Sequence, residues 1–346
     1  MSIEYRSLNL SVDLVNFQKL LKKCFPETDS ATNFSDRSVY WKFDQRAQSL
    51  STLGIINDEF LTFYGVVPRK YSCFGVPVEI GLVVDVMTHP SHRGKGLFVE
   101  SSLVALSRLK PSELTAVIGF PIRNEVMPGH LKAGWRVQFE MPIYVLPIGR
   151  PEVKSLKSLI VRIFATAYEL GTRPLRFSIF KAPKDQISET VSIDTLSNFY
   201  SSQKTDDHIV LEKSKEFLEW RINRPEIKYQ KFSAQSETTQ AVAITRIMIL
   251  EGFKTLSILD FESDSQRHSR RLIKHLVEYS IDKKIELIAF STNKENAKRL
   301  KLLRFGFLKS NKKFKVITRK ITEIADNFTT SHHSNFRMTW IDSDTV

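Results

Sequence analysis

The sequence predicts an α/β protein built around a mostly continuous mixed sheet, and three observations carry that prediction. β-Branched runs alternate with stretches of helical spacing as far as Pro147. A basic, glycine-bearing loop, Arg93-Gly94-Lys95-Gly96, joins the apolar run "GLVVDVMTH" to a helical segment. Landmarks of the first half return in the same order in the second.

The elements can be justified in turn. "VDLVNFQKLLKKCF" places apolar residues three and four apart and predicts an early helix. From Ser49 to Pro90 the chain reads as consecutive strands, interrupted at Gly65, Pro68 and Gly75. "LFVESSLVALSRL" returns to helical spacing, "LTAVIGFP" is a short buried strand, and "NEVMPGHLKAGW" is a helix ending at Gly134. "RVQFEMPIYVLP" is one more strand. After about Pro151 an amphipathic stretch broken by Gly171 and Pro174 reads as a connector, with membrane-surface docking as the less favoured reading.

The second half echoes the first at three places. "VYWKFDQ" around Trp41 matches "LEWRINRP" around Trp220, and Asp85 after its apolar run matches Asp260. Asn124 precedes Gly134-Trp135 as Asn296 precedes Gly306-Phe307. Three echoes in one order indicate a duplicated domain. The expected organisation is therefore a domain over 1–150, a connector over 151–185, a second domain over 186–322 and a tail over 323–346. The copies differ at the loop: the second half has "SDSQRHSRRL", without glycine.

Bulk properties narrow the partners. A net charge of +13 on 346 residues suits anionic ligands. Only Cys24 and Cys73 occur, without a CxxC pattern, which argues against a disulfide framework or zinc ribbon. His332 and His333 stand together without further ligands at metal spacing, so no metal is expected. The N-terminus lacks a signal-peptide pattern and no apolar run reaches about 18 residues, so the expected location is cytoplasmic.

The basic loop and the Asn…Gly-Trp segment together resemble the GNAT superfamily of acyl-coenzyme A acyltransferases, from about Glu4 to Pro147. The resemblance implies two tandem GNAT-like domains, the second degenerate in its cofactor loop. It implies acetyl-CoA as co-substrate, its pyrophosphate cradled by Arg93, Gly94, Lys95, Gly96, Leu97 and Phe98. Phe98 departs from the family, which keeps a small residue there. Glycines let bare amides approach a phosphate at a helix N-terminus, and the basic side chains add charge. Met87 and Thr88 would bind the pantetheine arm and thioester oxygen through strand amides, with Asn124 beside the cofactor. Asp85, on one strand face with Met87 and His89 by period-two alternation, is the candidate base. His130 stands where the family keeps its tyrosine acid, and an imidazole near pKa 6.5 can donate to a thiolate.

For the acceptor, Tyr40, Trp41, Phe120 and Arg123 offer aromatic faces and an anion-binding guanidinium. The paired motifs and the closing "MTWIDSDTV" are similar to acetyltransferases linked to bacterial surface-polysaccharide synthesis, which favours an amino sugar, nucleotide-linked, as the amine. The competing readings are an aminoacyl-tRNA-dependent transferase of the peptidoglycan type and a non-catalytic scaffold. The intact loop weighs against the first, and a nucleic-acid partner is not expected.

Overall fold

The computed structural model describes residues 3–28, 30–148, 187–203, 206–235, 240–322 and 326–344. The expected connector lies outside the described residues. The first half supplies β1 (Glu4–Ser7), β2 (Thr52–Ile56), β3 (Glu59–Cys73), β4 (Val76–Thr88), β5 (Ala116–Gly119) and β6 (Arg136–Pro147). The second supplies β7 (Ile187–Ser188), β8 (Ile209–Leu211), β9 (Tyr229–Gln235), β10 (Gln240–Leu250), β11 (Phe253–Ser263) and β12 (Leu287–Ser291). β13 (Leu308–Lys320) and β14 (Phe336–Arg337) follow.

All fourteen strands belong to one mixed sheet, in the order β1-β2-β3-β4-β5-β13-β6-β12-β11-β10-β9-β7, with β8 bridging β3 and β14. β13 enters between β5 and β6, while the other edge of β6 pairs with β12. The expected boundary near residue 150 thus falls between β6 and β7, yet the sheet runs across it. Each half completes backbone hydrogen bonding that the other leaves open.

Helices cover the faces. α1 (Leu10–Cys24) is capped by the Asn9 side chain, which accepts from the Ser11 amide, and buries Leu10, Phe17, Leu20, Leu21 and Cys24. α2 (Asp36–Lys42) carries the Trp41 motif, and α3 (Leu97–Arg108) connects β4 to its parallel neighbour β5. α4 (Met127–Lys132) ends before Gly134, at φ +83°; its echo Gly306 has φ +85°. In the second half α5 (Lys215–Ile222) carries Trp220, and α6 (Gln266–Asp282) occupies the place of α3.

One expectation needs correction. β3 runs unbroken through Gly65 and Pro68. At Pro68 the β2 pairing has ended and the β8 pairing has not begun, so the missing N–H is not needed. The segment after β13 packs on the rest of the fold. Phe328, Phe336, Met338, Trp340 and Ile341 are all buried in the core. No helix among the described residues is long and apolar enough to cross a membrane.

Candidate active site

The site begins where two parallel strands part. β4 pairs with β5 from Ile80–Ala116 to Val83–Gly119 and no further, although β4 continues to Thr88. A bulge sits at the point of parting. Gly65 opposes Val84 and Phe63 opposes Met87, so Asp85 and Val86 together face Tyr64. Asp85 takes φ +48° there, a costly conformation for a residue with a Cβ. Strict alternation through Asp85, Met87 and His89 therefore fails. The bulge turns Asp85 into one cavity while Met87 lines another.

The first cavity, about 700 Å³, is a groove under the glycine loop. Its walls include Met87, Thr88, Arg93, Gly94, Gly96, Leu97 and Phe98. Gly94 and Gly96 have φ +77° and +81°, and a Cβ added at either would meet nothing within 4 Å. Gly96 is the N-cap of α3 and no side chain caps that end, so first-turn amides remain open to a ligand. These residues fit the phosphates of an acyl-CoA. Arg93 bonds the Thr88 carbonyl through Nε at 3.2 Å. Lys95 is exposed and Asn124 is exposed, and neither is among the groove's walls.

Phe98 is accommodated rather than disruptive. Its ring lies against Gly129 of α4, where an added Cβ would come within 2.4 Å, and it meets the edge of His130 at 5.0 Å. A large residue fits because the facing helix has a glycine at the point of contact.

The second cavity, about 330 Å³, lies in the gap between the strands. Phe25, Phe34, Phe120 and Ile122 line its sides, with Arg123 at the rim paired to Glu27. Lys42, Asp85, Arg224 and Asp344 bring charge to it. The Lys42 ammonium contacts Asp85 at 2.9 Å and Asp344 at 3.3 Å. Burial alone would lower its pKa, but the two carboxylates outweigh burial and hold it above the ordinary lysine value. Burial raises the Asp85 carboxyl, Lys42 pulls it back and Asp344 pushes it up again; the net direction is upward.

His130 faces this cavity from α4, 5% exposed, with its Nδ1 unpartnered and its ring edge-on to Trp135. Burial lowers its pKa to about 4, so the ring is neutral at pH 7. At that pH a departing thiolate would meet the N–H of a neutral imidazole rather than an imidazolium.

Phe120 and Arg123 line this cavity, and Tyr40 and Trp41 do not. Trp41 stacks on Trp220, and the Tyr40 hydroxyl donates to the Leu10 carbonyl from a ring that is 46% exposed. The neighbour Lys42 takes the position instead. Asp344 and Arg224, absent from the sequence-derived candidates, reach the cavity from the tail and the second half. Their only sequence signal was the repeated Trp motif and its flanking charges. Among the described residues no cluster of histidine, cysteine and carboxylate side chains suits a metal.

Comparison with known proteins fits this geometry. Residues 4–137 match the model of the acetyltransferase (GNAT) domain. No curated protein matches the chain by sequence. Among solved structures, a GCN5-related N-acetyltransferase from Anabaena variabilis ATCC 29413 superposes with a TM-score of 0.65 at 12% identity, over 93% of this chain and 73% of that one. Another, from Kribbella flavida, gives 0.61 at 11% identity, over 92% and 71%. The N-myristoyltransferase of Saccharomyces cerevisiae with bound myristoyl-CoA gives 0.56 at 10% identity, over 92% and 78%. The shared feature is the fold: the mixed sheet is GNAT-like.

Proposed function

We propose that the protein transfers an acetyl group from acetyl-CoA to a primary amine. The observation that carries the reading is the junction of two cavities at one strand gap. An open glycine loop lines one, and a half-buried carboxylate at a bulge lines the other. The first 150 or so residues would bind the acyl-CoA, and the second half would wall the acceptor cleft.

In this reading the acceptor arrives as an ammonium and gives one proton to Asp85, whose raised pKa suits it as a base. The freed amine attacks the thioester carbonyl, and strand amides near Met87 and Thr88 hold the oxyanion. The C–S bond then breaks. One of the two protons left on nitrogen passes to the departing thiolate, giving free coenzyme A and an amide that keeps the other; the proton on Asp85 returns to solvent. Neutral His130 shapes the cleft wall in this scheme and supplies no proton.

The favoured acceptor is an amino sugar, nucleotide-linked, used in surface-glycan synthesis. The aromatic walls of Phe25, Phe34 and Phe120 could stack on a sugar face, and the charged groups could bond its hydroxyls. An aminoacyl-tRNA donor is the competing reading, and the open loop amides favour a pyrophosphate over it.

Thiol release from acetyl-CoA, measured against a panel of free and nucleotide-linked amino sugars, tests the assignment. Turnover should appear with at least one and fall about a hundredfold or more in Asp85→Asn. Saturable acetyl-CoA binding without turnover on any primary amine would leave only the scaffold reading.

A further inference from the structure

The gap between β4 and β5 has a counterpart in the second half, and there it is filled. β11 pairs with β12 from Thr255–Leu287 to Ile258–Phe290 and then runs on to Ser263 with that edge open, still paired to β10 on the other. A register shift at Ile244/Thr245 places a bulge beside Asp260, as one lies beside Asp85. The pairing of acid with lysine is repeated as well: Lys213 stands 2.9 Å from Asp260, as Lys42 does from Asp85.

The chain's own C-terminal segment occupies this second gap. Thr339 forms a β-bridge with Thr292, just past β12, and its hydroxyl donates to Asp260 at 2.8 Å. The Thr292 hydroxyl donates to the Met338 carbonyl at 2.7 Å. Asn293 donates to the carbonyls of Phe336 and His333 at 2.6 and 2.9 Å. The segment then crosses to the first half. The Tyr71 hydroxyl of β3 donates to Asp342 at 3.1 Å, and two residues later Asp344 meets Lys42.

We propose that the second gap has become the anchor of a C-terminal strap, and that the strap delivers Asp344 to Lys42 so that Asp85 is free to accept the acceptor's proton. With Asp85 alone as partner, the ammonium would hold that carboxylate in a closed ion pair and weaken it as a base. Sharing the lysine and adding a second negative charge work in the opposite direction. The charged groups facing Asp85 are Lys42 from α2, Asp344 from the strap and Arg224 from beyond α5. Arg224 donates to the Asp344 carbonyl at 3.4 Å and to Asn33 at 2.8 Å, and so holds the strap end in place. Asp344 is thus a positioning residue, acting through Lys42. The inference rests on the reading of Asp85 as base.

The test is carboxyl-carbon NMR titration of the full-length protein labelled at aspartate, with the Asp85 signal identified by its loss in Asp85→Asn. Asp344→Asn should shift the Asp85 midpoint downward, and Asp344→Glu should restore it. The double variant Asn293→Ala/Thr339→Val should give a downward shift with Asp344 still present, because its strap is released. An unmoved midpoint in Asp344→Asn overturns the role of Asp344. An unmoved midpoint in the folded double variant overturns the anchor. Full acetyl-CoA turnover in Asp85→Asn would instead defeat the underlying base assignment, which the titration does not touch.

Discussion

Trp41 and Trp220 stack with ring centroids 4.6 Å apart and planes 5° from parallel, and each indole N–H donates to the other's main-chain carbonyl, at 2.6 and 2.8 Å. Reciprocal bonds of this kind are what a local pseudo-two-fold pairing of the two motifs would give. Two arginines close the stack, Arg69 over Trp220 at 4.0 Å and Arg224 over Trp41 at 5.1 Å. The repeated Trp motif is therefore the seam between the halves rather than two substrate platforms. Trp220→Ala should cost about 2–4 kcal/mol, since stacking, burial and a hydrogen bond are lost together. Because the sheet crosses the seam, calorimetry should still show one cooperative transition at a lower Tm. Two resolved transitions would mean that the halves fold independently.

Gly96 tests the cofactor groove. The space above it is open, so Gly96→Val meets no steric block; the cost to the fold is confined to a β-branched residue at φ +81°, about 1–2 kcal/mol. Binding should suffer far more, because a branched side chain stands over the amides that would meet phosphate. Calorimetric titration should find acetyl-CoA affinity lost in a variant that remains folded. Undiminished binding would remove the loop from the cofactor site.

Much of this was legible in the sequence, and the omissions share a cause. Strand–loop–helix order, the glycine loop and the repeated motifs are local patterns set by periodicity and backbone freedom. Asp85 was found as a residue, but its geometry was not, because a bulge has no alternation signature; only Gly65 opposite hinted at it. An added Cβ there would meet the Val84 carbonyl at 2.6 Å. The insertion of β13 between β5 and β6 and the approach of Asp344 to Lys42 are contacts between distant segments. Nothing in "KKFKVITRK" or "WIDSDTV" states which edge or which lysine each will meet. The depressed pKa of His130 was hidden similarly, since it depends on burial among side chains from several segments.

Phe98 and Gly129 form a matched pair, and breaking the match should disturb ligand binding. Gly129→Val would drive side-chain atoms into the Phe98 ring, which lines both cavities. Overpacking of this kind costs about 1–3 kcal/mol, and the ring can relieve it only by swinging toward a cavity. The variant should lose acetyl-CoA affinity, and Phe98→Ala in the same chain should recover stability that Gly129→Val removed. Additive losses in the double variant, measured by urea unfolding, would show that the two positions do not act on each other.

Two buried groups should set opposing pH slopes on stability. Burial raises the Asp342 carboxyl to about 7, with Lys213, the Thr339 amide and Tyr71 pulling it down and Asp260 pushing it up. Against an unfolded value near 3.9, the native state binds more protons between about pH 4 and 7. Stability from Asp342 is therefore present at the acid end and lost as pH rises to its folded value. His130 behaves oppositely: with a folded value of about 4 and an unfolded one near 6.5, the unfolded state binds more protons, and stability rises across that window. Each full proton difference is worth about 1.4 kcal/mol per pH unit, so from about pH 4 to 6.5 the two largely cancel. Asp342→Asn keeps the shape of a protonated carboxyl and removes its titration. Its urea midpoint should climb from pH 4.5 to 6.5 more steeply than that of the natural chain, and His130→Gln should instead show a fall over the same range. Parallel pH curves for all three proteins would mean that neither group is held away from its ordinary pKa.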